Sequence, residues 1–406
     1  MSLLLSILFG LLAASAFALL VYWSVGIFQI SCTMLLVPTA RRGLALARAA
    51  TEHPGVCVIV PAHNEARVIE RLVRSLKAQD YPKLSVILSL DRCTDATAAL
   101  ARAAIGNDPR FTVLEIASCP ADWAGKVNAV WQAVLHAGKI PDLFLFADAD
   151  TILTPPCTSA MVAMLRERKL DMISLWSTLE NVEWFEYVAQ PAAGFELARA
   201  YPLIKANRDR DRRPFANGQF MLITRAAYEK TGGHEGLRTE VLEDLALAVR
   251  VKQHGMKPGV FLARGIMTCR MYPTFAAFRS GWKRIYVEAA NCKVARLRKW
   301  SLVNRTVGTA LPLATLALLA LALAGAIPEA MRQFLPALQW LGAAALGVWA
   351  IALTWAYWLG GTPIWAFPGH IVGSWIVGGI LKEAADDLEA GKPTKWGGRE
   401  YVRPAR

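Results

Sequence analysis

Asp148 and Asp150 stand one residue apart, where the apolar run LFLFA ends in LFLFADADTILTP (residues 143–155). Two carboxylates at i and i+2 on a turn can share one hard divalent cation. Mg2+ and Mn2+ prefer oxygen ligands, keep some waters and bridge to substrate phosphates. Other acids sit in comparable places. GVCVIVPAHNE (55–65) is an apolar run that closes on Pro61, His63, Asn64 and Glu65, and LSVILSLD (84–91) closes on Asp91. In LRTEVLEDLALAVRVKQHG (237–255), Glu243 and Asp244 open a helical pattern. A helix N-terminus favours the ionised carboxylate there, which suits a general base. Each of these acids alone reads as an ordinary cap or turn residue; their joint placement is what points to a site. Lys126 in DWAGKVNA follows Gly125 and offers a counter-charge. FANG (215–218) and GGH (232–234) are tight connections carrying Gly218 and His234. CRMYPTFAAFRSGWKRIYVEA (269–289) mixes Arg270, Arg279, Lys283 and Arg284 with Tyr272, Phe275, Phe278, Trp282 and Tyr286. It reads as an amphipathic interfacial helix able to bring a cation to a leaving diphosphate.

Strands alternating with helices must position these residues. Apolar runs at 56–60, 84–91, 111–116 and 143–147 read as buried strands, and FMLI (220–223) as another. Helical periodicity fills 66–79, 96–105 (capped by Asp95) and 126–137. The pattern predicts an α/β fold with a mostly parallel, doubly wound sheet, whose ligands lie beyond the carboxyl ends of the strands. PAHNEARVI has no glycine, so the first turn is not a dinucleotide loop, and the chain has no Walker sequence. A nucleoside diphosphate held through a metal fits better than either.

Charge is unevenly spread over the 406 residues. Residues 2–38 lack Asp, Glu, Lys and Arg, and 306–380 carry only Glu329 and Arg332. The hydrophobic fraction is 54% and the mean hydropathy +0.32. Residues 4–30 are long enough to span a bilayer, and too long for a signal peptide lacking a basic start. Segments 307–327 and 336–359 read as two more spans, and 363–380 as a marginal third interrupted by Pro363 and Pro368. Arg41, Arg42 and Arg48 follow the first span, and Arg296, Arg298, Lys299 and Arg305 precede the second. Positive flanks predict a cytosolic middle domain on a multi-pass protein of the plasma (inner) membrane. Lys392, Lys395, Arg399, Arg403 and Arg406 favour a cytosolic tail, which two C-terminal spans allow and three do not. The expected divisions are an anchor (1–38), a catalytic domain (39–268), interfacial helices (269–305), a membrane region of two or three segments (306–381) and a basic tail (382–406). The net charge of +13 suits anionic lipid heads, and no nucleic-acid recognition motif is present. None of the seven cysteines forms a CxxC pair.

Taken together, PAHNE, LDRCTDAT (90–97), FADAD and LED (242–244), in this order, resemble the motifs of membrane-bound family 2 glycosyltransferases, whose nucleotide-sugar-binding domain has the GT-A fold. The resemblance covers about residues 54–300. It implies that Pro61, Glu65, Asp91, Lys126 and Asp148 bind the donor. Asp150, with Asp148, would hold Mg2+ or Mn2+, and Asp244, beside Glu243, would activate an acceptor hydroxyl for inverting transfer. Gly218, His234, Arg279, Trp282 and Lys283 would lie on the acceptor and diphosphate side. The second motif often has two adjacent aspartates; here Leu90 replaces the first. Processive members carry Gln-x-x-Arg-Trp where this chain has RSGWKRIY (279–286), and KWGGREY (395–401) is similar to the tails of lipid-modifying members. The expectation is one sugar moved from a UDP-linked donor to a membrane lipid, as in bacterial lipid and carotenoid glucosyltransferases. A processive polysaccharide synthase, a polyprenyl-phosphate glycosyltransferase and a non-catalytic scaffold are the alternatives.

Overall fold

The computed structural model describes residues 2–208, 214–396 and 399–406. Arg212 and Arg213, just before FANG, lie outside the described residues, as do Gly397 and Gly398 of KWGGREY. The chain enters through α1 (Ser2–Leu36) and the short α2 (Arg42–Arg48). It then alternates through β1 (Val56–Ala62), α3 (Ile69–Lys77), β2 (Leu84–Asp91), α4 (Thr97–Ile105), β3 (Phe111–Ile116), α5 (Gly125–Ala137) and β4 (Leu143–Phe146). Next come β5 (Thr151–Leu153), α6 (Cys157–Glu167), β6 (Met172–Trp176), β7 (Thr178–Leu179), α7 (Trp184–Ala200) and α8 (Leu203–Ala206). The sheet domain closes with β8 (Met221–Thr224), α9 (Arg225–Lys230), α10 (Glu243–Gln253), β9 (Pro258–Leu262) and β10 (Met267–Cys269).

Seven strands form one sheet in the order β3-β2-β1-β4-β8-β6-β9. It is mostly parallel, as the continuous apolar runs predict, but β8 runs antiparallel to both β4 and β6. Successive residues of β1 face opposite sides. Val56, Val58 and Val60 join a core with α3, α4 and α6, whereas Cys57 and Ile59 join one with α5, α9 and α10. Both faces are therefore covered, and the strands carry no polar side. On α3, Ile69, Leu72, Val73 and Leu76 are buried while Glu70, Arg71 and Arg74 face outwards. Each such fully buried aliphatic side chain contributes about 1.5–3 kcal/mol. A second sheet, β5-β10-β7, lies beside the DAD turn, and the Arg270 N–H donates to the Asp150 carbonyl at 3.2 Å. That small sheet, absent from the sequence-based expectation, fixes the backbone of the acidic pair.

Beyond the sheets, α11 (Phe275–Ala289) and α12 (Val294–Val303) lead through a π-helical stretch at Asn304–Ala310 into α13 (Leu311–Leu323). The helix is continuous across the boundary expected at 305/306. It is followed by α14 (Leu335–Gly360) and α15 (His370–Glu389). Among the described residues four helices are long and apolar enough to cross a membrane: Leu3–Leu36, Val294–Leu323, Glu329–Gly360 and Ile364–Glu389. The first three pack on one another through Leu19, Leu318, Ala345 and Leu353. Exposed Trp340 and Trp358 lie near opposite ends of α14, about 27 Å apart along a helix rising 1.5 Å per residue. That matches interfacial aromatics on either side of roughly 30 Å of hydrocarbon.

α15 differs from the other three. Thr309 Oγ1 donates to the Ile371 carbonyl at 2.8 Å, Ser301 Oγ to that of Gly378 at 2.6 Å, and Arg298 pairs with Glu389 at 2.6 Å. The helix thus lies antiparallel against 298–309, before the most apolar part of the second long helix. A Cβ on Gly373 would fall 1.9 Å from the Val188 carbonyl oxygen, so glycine is what lets α15 seat against α7. The ring of His370 meets Phe195 of α7 and Tyr357 near the end of α14. The first turn of α15 thus packs among α1, α7 and the end of α14, within the apolar cluster of the long helices.

Candidate active site

The sequence-predicted acids converge at the carboxyl ends of β1, β2 and β4. Two loops are bonded to each other there. Asn64, at φ 58°, accepts from the Thr94 N–H at 2.8 Å, the Glu65 N–H donates to Thr97 Oγ1 at 2.7 Å, and His63 Nδ1 lies 2.6 Å from the Asp91 carbonyl. Asp95 accepts from the Thr97 and Ala66 N–H groups, which starts α4 and ties it to the first motif. PAHNE and LDRCTDAT form one unit that presents Glu65 and Asp91.

Lys126, in the first turn of α5, joins the remaining motifs. Its Nζ lies 2.7 Å from Asp148 Oδ1 and 2.6 Å from Glu243 Oε1. Burial pulls its pKa down, but Asp148, Glu243 and Asp244 more than offset this, so the ammonium is held firmly charged. Asp244 Oδ2 accepts from the Gly218 N–H at 2.8 Å and Oδ1 from the Leu245 N–H at 2.8 Å. Burial, then Glu243, raises its pKa to about 6 against the pull of Lys126. Gly218 sits in close quarters: a Cβ would stand 3.0 Å from Lys126 Nζ and 3.3 Å from Asp244 Oδ2, so one of them would have to shift.

The DAD turn carries an excess of negative charge. Burial, then Asp148 and Glu65, raises Asp150 to about 8, and burial, then Asp148, raises Glu65 to about 7. Asp150 Oδ1 is buried without a hydrogen-bond partner. Among the described residues no three acidic, histidine or cysteine side chains form a complete metal cage. Two carboxylates with an orphaned oxygen nevertheless fit a Mg2+-type site that takes its other ligands from water and substrate phosphates.

One cavity of about 1790 Å3 includes Pro61, Glu65, Asp91, Lys126, Asp148, Asp150, Gly218, Glu243 and Asp244. It continues between α7, α8 and α11 to α1 and α14, where Phe17, Val21, Val25 and Phe28 of α1 line it. Those four side chains are exposed. The α1 wall runs from Phe17 to Leu36, about 28 Å at 1.5 Å per residue.

Trp282 lines the cavity, but the cations expected beside it, Arg279 and Lys283, do not. Arg279 pairs with Glu383 at 2.6 Å, and Lys283 with Glu383 at 2.9 Å and with Asp387. Positions 279 and 283 share one helical face, turned to α15, and 282 projects about 100° from 283. Arg284 is the cation of α11 on the cavity wall. His234 is also not a cavity residue. It is fully buried behind Lys126 and Glu243, its Nδ1 lies 2.9 Å from the Tyr228 hydroxyl, and burial, then Lys126, lowers its pKa to about 3. It packs against the Phe146 and Tyr228 rings. Sequence reasoning missed Arg92, whose guanidinium holds both Asp91 oxygens at 2.9 and 2.6 Å, and the lining by α1 and α7. Arg92 stands inside LDRCTDAT, so the motif itself carried that signal.

Residues 53–284 match the family described as glycosyltransferase-like family 2, more than half of the chain. The chain belongs to that family. It is 26% identical over 238 residues to a 4,4'-diaponeurosporenoate glycosyltransferase of Staphylococcus aureus, a match covering 57% of this chain and 60% of that protein. The chain thus spans about 60% of the length of the curated relatives it matches. Among solved structures it is similar to the mannosyltransferase PcManGT of Pyrobaculum calidifontis in complex with GDP-Man and Mn2+. There the identity is 20%, the TM-score 0.48, and coverage 93% of this chain and 99% of that one. S. aureus TarS 1-349 in complex with UDP-GlcNAc is 12% identical with a TM-score of 0.39, over 86% of this chain and 96% of that one.

Proposed function

We propose that the protein transfers a single sugar from a nucleoside diphosphate donor, expected to be UDP-linked, to a hydroxyl of a membrane lipid, with inversion. The observation that carries this reading is the single cavity joining the acidic cluster to a groove along α1 and α14. A donor is water-borne and anionic; a surface about 28 Å long on an apolar helix suits an acyl or polycyclic chain. The family and the similarity to a carotenoid glycosyltransferase support the same reading.

In the proposed reaction Asp244 accepts the proton of the acceptor hydroxyl. Its Gly218 and Leu245 hydrogen bonds hold the carboxylate in one orientation, and each oxygen keeps a lone pair for that proton. The hydroxyl oxygen forms the new bond to the anomeric carbon while the bond to the diphosphate breaks. Lys126 and Arg284 offer positive charge to the departing diphosphate. Asp148 and Asp150 would hold Mg2+ or Mn2+, which supplies charge neutralisation at that leaving group. The arrangement of the strand ends reads as a GT-A donor site, with Asp91 and Glu65 towards the nucleoside. The domain is read as cytosolic, because the donor is made there and the basic flanks favour that side.

The test is a purified, nanodisc-embedded protein given a bacterial lipid extract and labelled UDP-hexoses. The reading expects label in the organic phase at one sugar per lipid. Label in a water-soluble polymer would instead favour the processive reading.

A further inference from the structure

The KWGGREY tail has no part in the chemistry above, yet it does not lead away from the site. After α15 the chain turns back as a hairpin, Thr394–Trp396 paired with Arg399–Tyr401. Tyr401 is half-buried. It packs against the core under α5 and α10 and lines the active-site cavity together with Asp91, Gly125 and Lys126. Its phenol is close enough to the Arg92 guanidinium to interact with it electrostatically. Two further contacts hold the segment in place. Arg403 Nε donates to Glu288 Oε1 at 2.6 Å, with both side chains largely buried, and the Arg406 N–H donates to the Cys292 carbonyl at 2.8 Å. Glu288 lies in the last turn of α11 and Cys292 just beyond it, and Arg284 and Ile285 of the same helix line the cavity. The tail therefore bridges α11 and the Asp91 end of the site. Of the basic residues expected to favour a cytosolic tail, Arg403 is committed to this bridge.

The chemistry at this end differs from that at the DAD turn. Asp91 is a carboxylate oriented by Arg92. Gly125 leaves bare backbone, since a Cβ there would stand 3.0 Å from Asp91 Oδ2 and 2.9 Å from Arg92 Nη2. Pro61 and Ala62 supply apolar surface, and Tyr401 adds a phenol ring on the Arg92 side, the His63 imidazole being bonded to the Asp91 carbonyl. An acceptor for N–H groups, a slot without side chains and an aromatic face together suit a planar heterocycle better than a sugar or a phosphate. We propose that the C-terminal segment is a wall of the donor site and that Tyr401 contacts the nucleobase of the nucleoside diphosphate. This rests on the donor reading above.

The experiment titrates the full-length protein in nanodiscs, with Mn2+ present, with UDP, GDP and pyrophosphate. Tyr401→Ala is expected to weaken the better-bound nucleotide about tenfold, within the range for loss of one base-stacking partner, and to leave pyrophosphate unchanged. Tyr401→Phe keeps the ring and is expected to bind within about twofold of wild type. Unchanged nucleotide affinity in Tyr401→Ala, or equal losses for nucleotide and pyrophosphate, overturns the tail's role and leaves the donor reading standing. A wild-type protein that binds pyrophosphate but neither nucleotide overturns both.

Discussion

The backbone N–H of Gly218 donates to Asp244 Oδ2 at 2.8 Å. This bond ties the FANG turn to the acid in the first turn of α10, and a side chain at 218 would crowd both Asp244 and Lys126. Gly218→Ala should therefore displace the base or the lysine without touching the strands below. The expected outcome is a loss of turnover on the order of 10–100-fold, as for a small misplacement of a reacting group. Steady-state kinetics alongside thermal unfolding checks this; an unaltered rate would show that the contact does not position the base.

Asp244→Asn should bind donor as wild type does and lose transfer by about 10²–10⁴-fold, the range for a general base. The pH profile gives a second readout. The protonated carboxyl cannot accept a proton, so with its pKa raised to about 6 the rate should climb as pH rises through 6 and then level off. For stability the sign is reversed. The folded protein keeps this proton at pH values where an unfolded aspartate has lost it, so the group's contribution falls as pH rises towards 6. A normal rate for the variant would remove Asp244 from its role.

Asp150→Asn should abolish the response of turnover to added Mn2+ or Mg2+ after chelation. The buried Oδ1 without a partner is the reason to single it out. Turnover that is restored by the metal as in wild type would place the cation elsewhere.

A reporter fused after Arg406 should localise to the same side of the membrane as one inserted in the sheet domain. The Arg403–Glu288 and Arg406–Cys292 bonds, together with α15 lying against 298–309, put the tail beside the sheet domain. Labelling on opposite sides would mean that α15 crosses the bilayer.

The strand ends were readable because buried parallel strands are unbroken apolar runs, and whatever polar residue ends them must sit at the site. Glu65, Asp91, Asp148, Asp150, Glu243 and Asp244 all line the cavity. Lys126 was readable as a cation but not as the link between Asp148 and Glu243, which depends on how β4 and α10 are brought together. The antiparallel direction of β8 could not be read, because FMLI is equally apolar in either direction. On α11 three cations lie within six positions, from 279 to 284, and only packing against α15 shows that Arg279 and Lys283 face away from the cavity and Arg284 towards it. The segment 363–380 has the composition of a span, yet Ser301 and Thr309, at the polar start of another long helix, donate hydrogen bonds to its backbone. Tyr401 stood inside KWGGREY, but its place at the cavity could not be read, because Asp91, Arg92 and Lys126 are more than two hundred residues away in the chain.

The central claim is that one sugar is added to a lipid drawn from the bilayer. Its most direct test is mass spectrometry of total lipids from a host carrying the wild-type protein, the Asp244→Asn variant or neither. The account predicts a lipid shifted by the mass of one hexose in the wild-type host alone. A wild-type lipid profile identical to that of the Asp244→Asn host, with sugar gained instead in a water-soluble polymer, would contradict it.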